Sequence, residues 1–99
     1  MAISATGTNP IVVTGTTATS DDIKSSGQWQ ITGFYWLQPT TQGHKLSLQD
    51  GNGKQLHAFY AQTANSSQYI DYPPGSEKQA FDGIYCDDMD SGTLYISIK

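Results

Sequence analysis

The sequence predicts an all-β protein, an antiparallel β-sandwich or jelly roll of seven to eight short strands. Three observations carry this. Apolar residues alternate with polar ones at Leu46/Leu48, Leu56/Ala58/Tyr60 and Leu94/Ile96/Ile98, the period of a half-buried strand. Turn residues rich in Gly, Pro, Asn and Asp recur between these runs, as they do between the strands of a sandwich. No stretch repeats its apolar residues at helical spacing. Composition agrees: 10 Ser, 11 Thr and 9 Gln stand among 99 residues, and Ser and Thr suit strands and turns better than helix interiors.

Residues 1–9 read as a flexible arm of small residues, with Ile3 its large apolar side chain, and residues 10–99 as a single domain. The first strand covers 10–14 and carries Ile11, Val12 and Val13, with Pro10 at its start, where a strand tolerates proline. The Thr-rich stretch 15–20 reads as a second short strand continuing to Ile23. Ser25-Ser26-Gly27 is a turn, and 28–37 is the strongest strand. Residues 45–49 and 54–61 form a hairpin around Asp50-Gly51-Asn52-Gly53, because Asp-Gly and Asn-Gly accept positive φ readily. A short strand at 68–72 stops at Pro73-Pro74-Gly75. Residues 79–86 form another strand, 87–92 an acidic turn, and 93–98 the last strand. The expected core is Val13, Trp29, Ile31, Leu46, Leu48, Leu56, Phe81, Leu94 and Ile96, with Ala58 and Tyr60 inward on the 54–61 strand.

One internal echo is visible. Ile31-Thr32-Gly33-Phe34-Tyr35-Trp36 and Phe81-Asp82-Gly83-Ile84-Tyr85-Cys86 share the order apolar, any, Gly, apolar, Tyr, apolar. Two equivalent strands in facing sheets would produce it. A regular strand puts Phe34 and Trp36 on the side opposite Trp29 and Ile31. A bulge at Gly33 would bring all four to one face.

Charge and composition exclude several functions. The chain carries a net charge of −4 and no arginine, so it has no cationic patch for nucleic acid or an anionic membrane surface. Residues 2–8 lack the basic and apolar regions of a signal peptide, and no apolar run approaches membrane-spanning length. The single cysteine, Cys86, has no partner for an internal disulfide and reads as a small buried core residue.

No catalytic constellation is placed by spacing. His44 sits at a loop end and His57 on the polar side of its strand, and no nucleophile elbow is present. Asp50-Gly51-Asn52-Gly53 superficially resembles the start of a calcium loop, but Lys54-Gln55-Leu56 breaks that pattern. Asp87, Asp88 and Asp90 form an acidic loop that reads as solvated, with a weak calcium site as the alternative. The residue pattern therefore assigns no catalytic residue, cofactor or metal.

The aromatic content is the stronger signal: two Trp, six Tyr and three Phe. Exposed aromatics stack on sugars or anchor protein interfaces. Gln28, Gln30, Gln38 and Asn65 are the amides available beside them for a glycan.

Four segments, 9–13, 31–37, 46–53 and 90–98, occur in an order that resembles small tailed-bacteriophage structural proteins, the β-sandwiches that decorate or cement capsids. The resemblance implies a virion protein made in the host cytoplasm. Its partners would be the major capsid protein or other virion proteins. Separately, the open strand edges of a small sandwich with few lysines invite pairing with another chain, and closed rotational symmetry then favours a dimer or trimer. The alternative is a carbohydrate-binding or adhesin module, such as one on a phage tail or fibre. The expected partner-binding residues are Ile3, Ile11, Val13, Phe34 and Trp36.

Overall fold

Alternation of buried and exposed residues along each strand builds two antiparallel sheets whose apolar faces meet. The computed structural model describes residues 3–17 and 20–99. Met1 and Ala2 of the expected arm, and Ala18 and Thr19 of the expected 15–20 strand, lie outside them. Among the described residues ten strands run in the order β1 (Ile3–Thr6), β2 (Ile11–Gly15), β3 (Asp21–Lys24), β4 (Trp29–Leu37), β5 (Lys45–Asp50), β6 (Gln55–Tyr60), β7 (Gln68–Asp71), β8 (Lys78–Ala80), β9 (Ile84–Met89) and β10 (Thr93–Ile98). The larger sheet has the order β1-β2-β10-β4-β7, with β8 also pairing β4; the smaller has the order β3-β9-β5-β6. The long strand β4 pairs β7 with its second half and β8 with its first.

The echo has a structural counterpart. β4 lies between β8 and β10 in the larger sheet, and β9 between β3 and β5 in the smaller. The units β3-β4-β5 and β8-β9-β10 thus exchange partners, each central strand sitting between the outer strands of the other unit. Phe34 and Trp36 on β4, and Ile84 and Cys86 on β9, all point into the shared core.

Bulges decide which residues face inward. Opposite β10, Ser97 pairs Gly33 but Ile98 pairs Ile31, which leaves Thr32 as the extra residue. A strand's side-chain period is two, so one extra residue moves the rest of the strand to the other face. Ile31, Phe34 and Trp36 are therefore all fully buried, with Trp29 packed against them. The same happens on β6, where Leu48 pairs His57 but Gln49 pairs Gln55. Leu56, Phe59 and Ala61 are buried, while Tyr60 is 57% exposed. The expected inward run Leu56/Ala58/Tyr60 gives way after Leu56 because of this bulge.

More strands form than the seven or eight expected. Residues 79–86 are not one strand. Asp82 and Gly83 both take positive φ, 61° and 103°, and that kink carries the chain from β8 in one sheet to β9 in the other. Phe81 sits at the crossing and is 41% exposed, so it is not a core residue. The acidic turn is also shorter than 87–92, because β9 runs on to Met89. At the other end, Ile3–Thr6 is a strand paired with β2, with Ile3 buried. The expected arm is thus part of the sheet from Ile3 to Thr6, drawn in by the burial of Ile3.

The rest of the expected core is in place: Val13, Ile31, Leu46, Leu48, Leu56, Leu94 and Ile96 are all buried. Asp50 is buried among them, with Oδ1 accepting the N–H groups of Asn52 and Lys54, both at 3.0 Å, and Oδ2 that of Phe81 at 3.4 Å. Burial opposes its ionisation, yet these three donors outweigh burial and hold its carboxyl below the usual carboxylate range.

Candidate functional site

The five residues expected to bind a partner are all inside. Ile3 and Ile11 are buried, and Val13, Phe34 and Trp36 are fully so. Ile11 and Val13 alternate inward on β2, and the Thr32 bulge turns Phe34 and Trp36 into the core. The Trp36 indole donates to the Ser91 carbonyl at 2.8 Å, as a buried indole N–H requires. None of the five is available on the surface of the folded chain.

The outer face of the larger sheet is formed by the residues between them. Val12 pairs Tyr95, Tyr95 pairs Tyr35, and Tyr35 pairs Tyr69. Three tyrosines on adjacent strands thus form one cross-strand row. Tyr35 and Tyr69 lie with ring centroids 6.1 Å apart and planes within 18°. Tyr69 is 69% exposed, while Tyr35 and Tyr95 are half-buried. The Tyr35 hydroxyl donates to Asp71 Oδ1. That bond, then burial, raises its pKa above the ordinary phenol value.

Gly33 seats this pair. A Cβ at Gly33 would come within 2.9 Å of Asp71 Oδ1 and 3.0 Å of the Tyr35 hydroxyl. The missing side chain lets the phenol fold over the backbone to the carboxylate. Beside Tyr95 the face opens into a cavity of about 470 Å³ lined by Leu37, Gln38, Thr40, Ser67 and Thr93. The Gln38 N–H donates to Ser67 Oγ at 3.0 Å, which ties the two loops that form its wall.

The histidines have structural partners. His44 Nδ1 lies 2.7 Å from Ser91 Oγ, which also accepts the Thr40 N–H at 2.9 Å. Ser91 is buried, so this contact fastens the 38–44 loop to the turn before β10. His57 faces inward, not to the polar side, because of the β6 bulge. Its ring stacks on Phe34 at 6.1 Å and meets Phe59 edge-on at 4.4 Å. Burial, then the charge of Lys78, lowers its pKa.

Asp88 and Asp90 are each held by Lys45, although the second oxygen of Asp88 is buried without a hydrogen-bond partner among the described residues. Lys45 Nζ is 3.4 Å from Asp88, and the Lys45 N–H donates to Asp90 Oδ2 at 2.9 Å. Burial, then Asp90, raises the Asp88 pKa. Among the described residues no cluster of three or more His, Cys, Asp or Glu is placed to hold a metal ion. Cys86 is fully buried, and burial pushes its thiol up to about 12.

The strand edges differ in how they are guarded. β3 carries Asp21, Asp22 and Lys24, β8 carries Lys78, and β7 carries Asp71. β6 carries a bulge, and its Tyr60 carbonyl accepts the Gln68 side-chain amide. β1, Ile-Ser-Ala-Thr, has neither charge nor proline and pairs only β2 among the described residues. Charge, proline and bulges are among the means of blocking an edge, and β1, four residues long, has none of these three.

Among the described residues no helix is long and apolar enough to cross a membrane. No family model, curated protein or solved structure matches the chain.

Proposed function

We propose that this chain is a virion structural protein of the capsid-decoration kind, working by association with neighbouring virion proteins rather than by chemistry. The observation that carries the reading is the unguarded outer edge of β1. An exposed edge presents unpaired backbone N–H and C=O groups, and a strand from another chain can add to it. Ile3 anchors β1 in the core, so the edge is held in place before a partner arrives. Ile11 and Val13 lie on β2, one strand further in, and act through β1. The absence of arginine and the net charge of −4 favour a protein partner over nucleic acid.

The test is sedimentation of the wild type and of a Ser4→Lys/Thr6→Lys double variant, alone and with shells of a capsid protein encoded beside it. Both positions are exposed, so lysine there guards the edge without entering the core. The wild type should self-associate or bind shells, and the double variant should do so roughly tenfold more weakly, about 1.4 kcal/mol. A wild type that stays monomeric and binds no shell, or a variant that binds equally well, overturns the reading.

A further inference from the structure

We propose that the tyrosine face of the larger sheet, a surface distinct from the β1 edge, binds a neutral glycan. Tyr95, Tyr35 and Tyr69 stand on three neighbouring strands, so the row spans about 10 Å at ordinary strand spacing. That is room for two or three sugar rings. Sugars present flat C–H faces that pack on aromatic rings, and Tyr35 and Tyr69 already lie nearly parallel.

The polar groups around the row select the ligand. The Tyr35 proton is committed to Asp71 and its oxygen takes a hydrogen bond from the Ser97 side chain, so the Asp71 carboxylate is the group that faces a ligand as an acceptor. An acceptor-only carboxylate favours a ligand that donates hydrogen bonds. Sugar hydroxyls donate and accept alike. A polyproline strand, the other common guest of tyrosine-lined surfaces, has no N–H to give. In the adjoining cavity Gln38, Thr40, Ser67 and Thr93 bring amide and hydroxyl groups, and Tyr95 is its one ionisable lining residue. The lining holds no lysine and the chain has no arginine, so an acidic glycan or a nucleic acid strand finds no counter-charge. Gln38 is among the amides the sequence offers for this role. Asn65 lies in the same loop region, where its N–H donates to the Pro39 carbonyl at 2.7 Å.

Affinity electrophoresis tests this, with native gels containing soluble mannan, dextran, galactan or a chitooligosaccharide conjugate, and with heparin and a polyproline peptide as comparison ligands. At least one neutral glycan should retard the wild type. Tyr69→Ala and Tyr95→Ala should each bind it roughly tenfold more weakly. Tyr60→Ala, which removes an exposed tyrosine of the smaller sheet, should bind as the wild type does. Amide shifts at Tyr35, Gln38 and Tyr95 on titration with that glycan should map the contact without relying on variants. No retardation by any neutral glycan, retardation by heparin or the polyproline peptide alone, or equal binding by Tyr69→Ala each overturns the proposal. Tyr69→Ala should still bind shells, so this proposal and the association through β1 stand or fall separately.

Discussion

β4 and β9 carry the same short motif at the centres of facing sheets, yet they use it differently. Both bury the apolar residues of Gly-apolar-Tyr-apolar, Phe34 and Trp36 in one sheet and Ile84 and Cys86 in the other. Their tyrosines point outward to different surroundings. Tyr85 donates to the Ser25 carbonyl at 3.2 Å, a local contact with the β3-β4 loop. Tyr35 joins a row of three tyrosines and donates to Asp71. The glycines differ as well. A Cβ at Gly33 would meet two side-chain oxygens and the Ile70 carbonyl oxygen, none closer than 2.9 Å, whereas Gly83 combines a φ of 103° with a site where a Cβ would overlap the Lys24 carbonyl oxygen at 2.2 Å. A motif repeated for the core thus leaves its outer residues free to diverge, and only one copy builds a surface.

The largest effect that would break this comparison is in the core. Phe34→Ala should cost about 3–5 kcal/mol and Ile84→Ala about 2–5 kcal/mol in denaturant unfolding. A near-neutral Phe34→Ala would mean that the Thr32 bulge does not turn Phe34 inward. The glycines come next. Gly83→Ala should cost on the order of 2–4 kcal/mol, since it combines positive φ with backbone overlap. Gly33→Ala meets two side-chain oxygens and the Ile70 carbonyl oxygen at 3.0 Å, with no severe overlap, and should cost about 1–2 kcal/mol. It should, however, loosen the Tyr35–Asp71 bond, and the Tyr35 titration should fall toward the ordinary phenol value in an ultraviolet pH titration. Equal costs at the two glycines would erase the distinction between them.

The smallest effect is electrostatic. His57 has a folded-state pKa below its unfolded value, so above that unfolded value both states are neutral and the full stability is present. As pH falls from about 6.5 toward the lowered value, the unfolded state takes up a proton first and stability declines. His57→Phe should flatten this part of the stability–pH curve and leave the acid limb, to which Asp50, Asp90 and Glu77 contribute, as it is. That limb runs the other way in cause: the Asp50 carboxylate is favoured in the fold, and its stabilisation is lost as pH falls from about 3.9 through the depressed folded value.

The sequence was readable wherever its period was regular. Leu46/Leu48 and Leu94/Ile96 alternate without interruption, and both pairs are buried. Gly33 announced the possibility of a bulge, and the bulge at its neighbour Thr32 made Phe34 and Trp36 core residues. On β6 no glycine marks the extra residue. Leu56 is simply left over between Gln55 and His57 in the pairing with β5, so a regular alternation places Tyr60 and His57 on the wrong faces. Asp82-Gly83 carried a turn signal inside an apolar run, and the run's hydrophobicity concealed the change of sheet. The tyrosine row was out of reach for a different reason. Tyr35, Tyr69 and Tyr95 are far apart in sequence, and only the pairing of β4 with β7 and β10 aligns them.

β10 comes after the other nine strands in chain order, yet it lies in the middle of the larger sheet, between β2 and β4. Asn9 adds to that junction, its side-chain amide donating to the Ile98 carbonyl at 2.8 Å and its oxygen accepting the Ile98 N–H at 3.1 Å. During synthesis β2 and β4 are both complete long before the strand that joins them emerges. Until then the β1-β2 hairpin and the remainder of the larger sheet have no shared backbone ladder, although the four strands of the facing sheet all precede β10. Closure of the sheet therefore waits for β10 and comes as one late event rather than a gradual accretion, with the slowness of non-local pairing. A chain cut short before Thr93 lacks the strand that joins β2 to β4 and leaves both of their edges open to pair with the wrong chain.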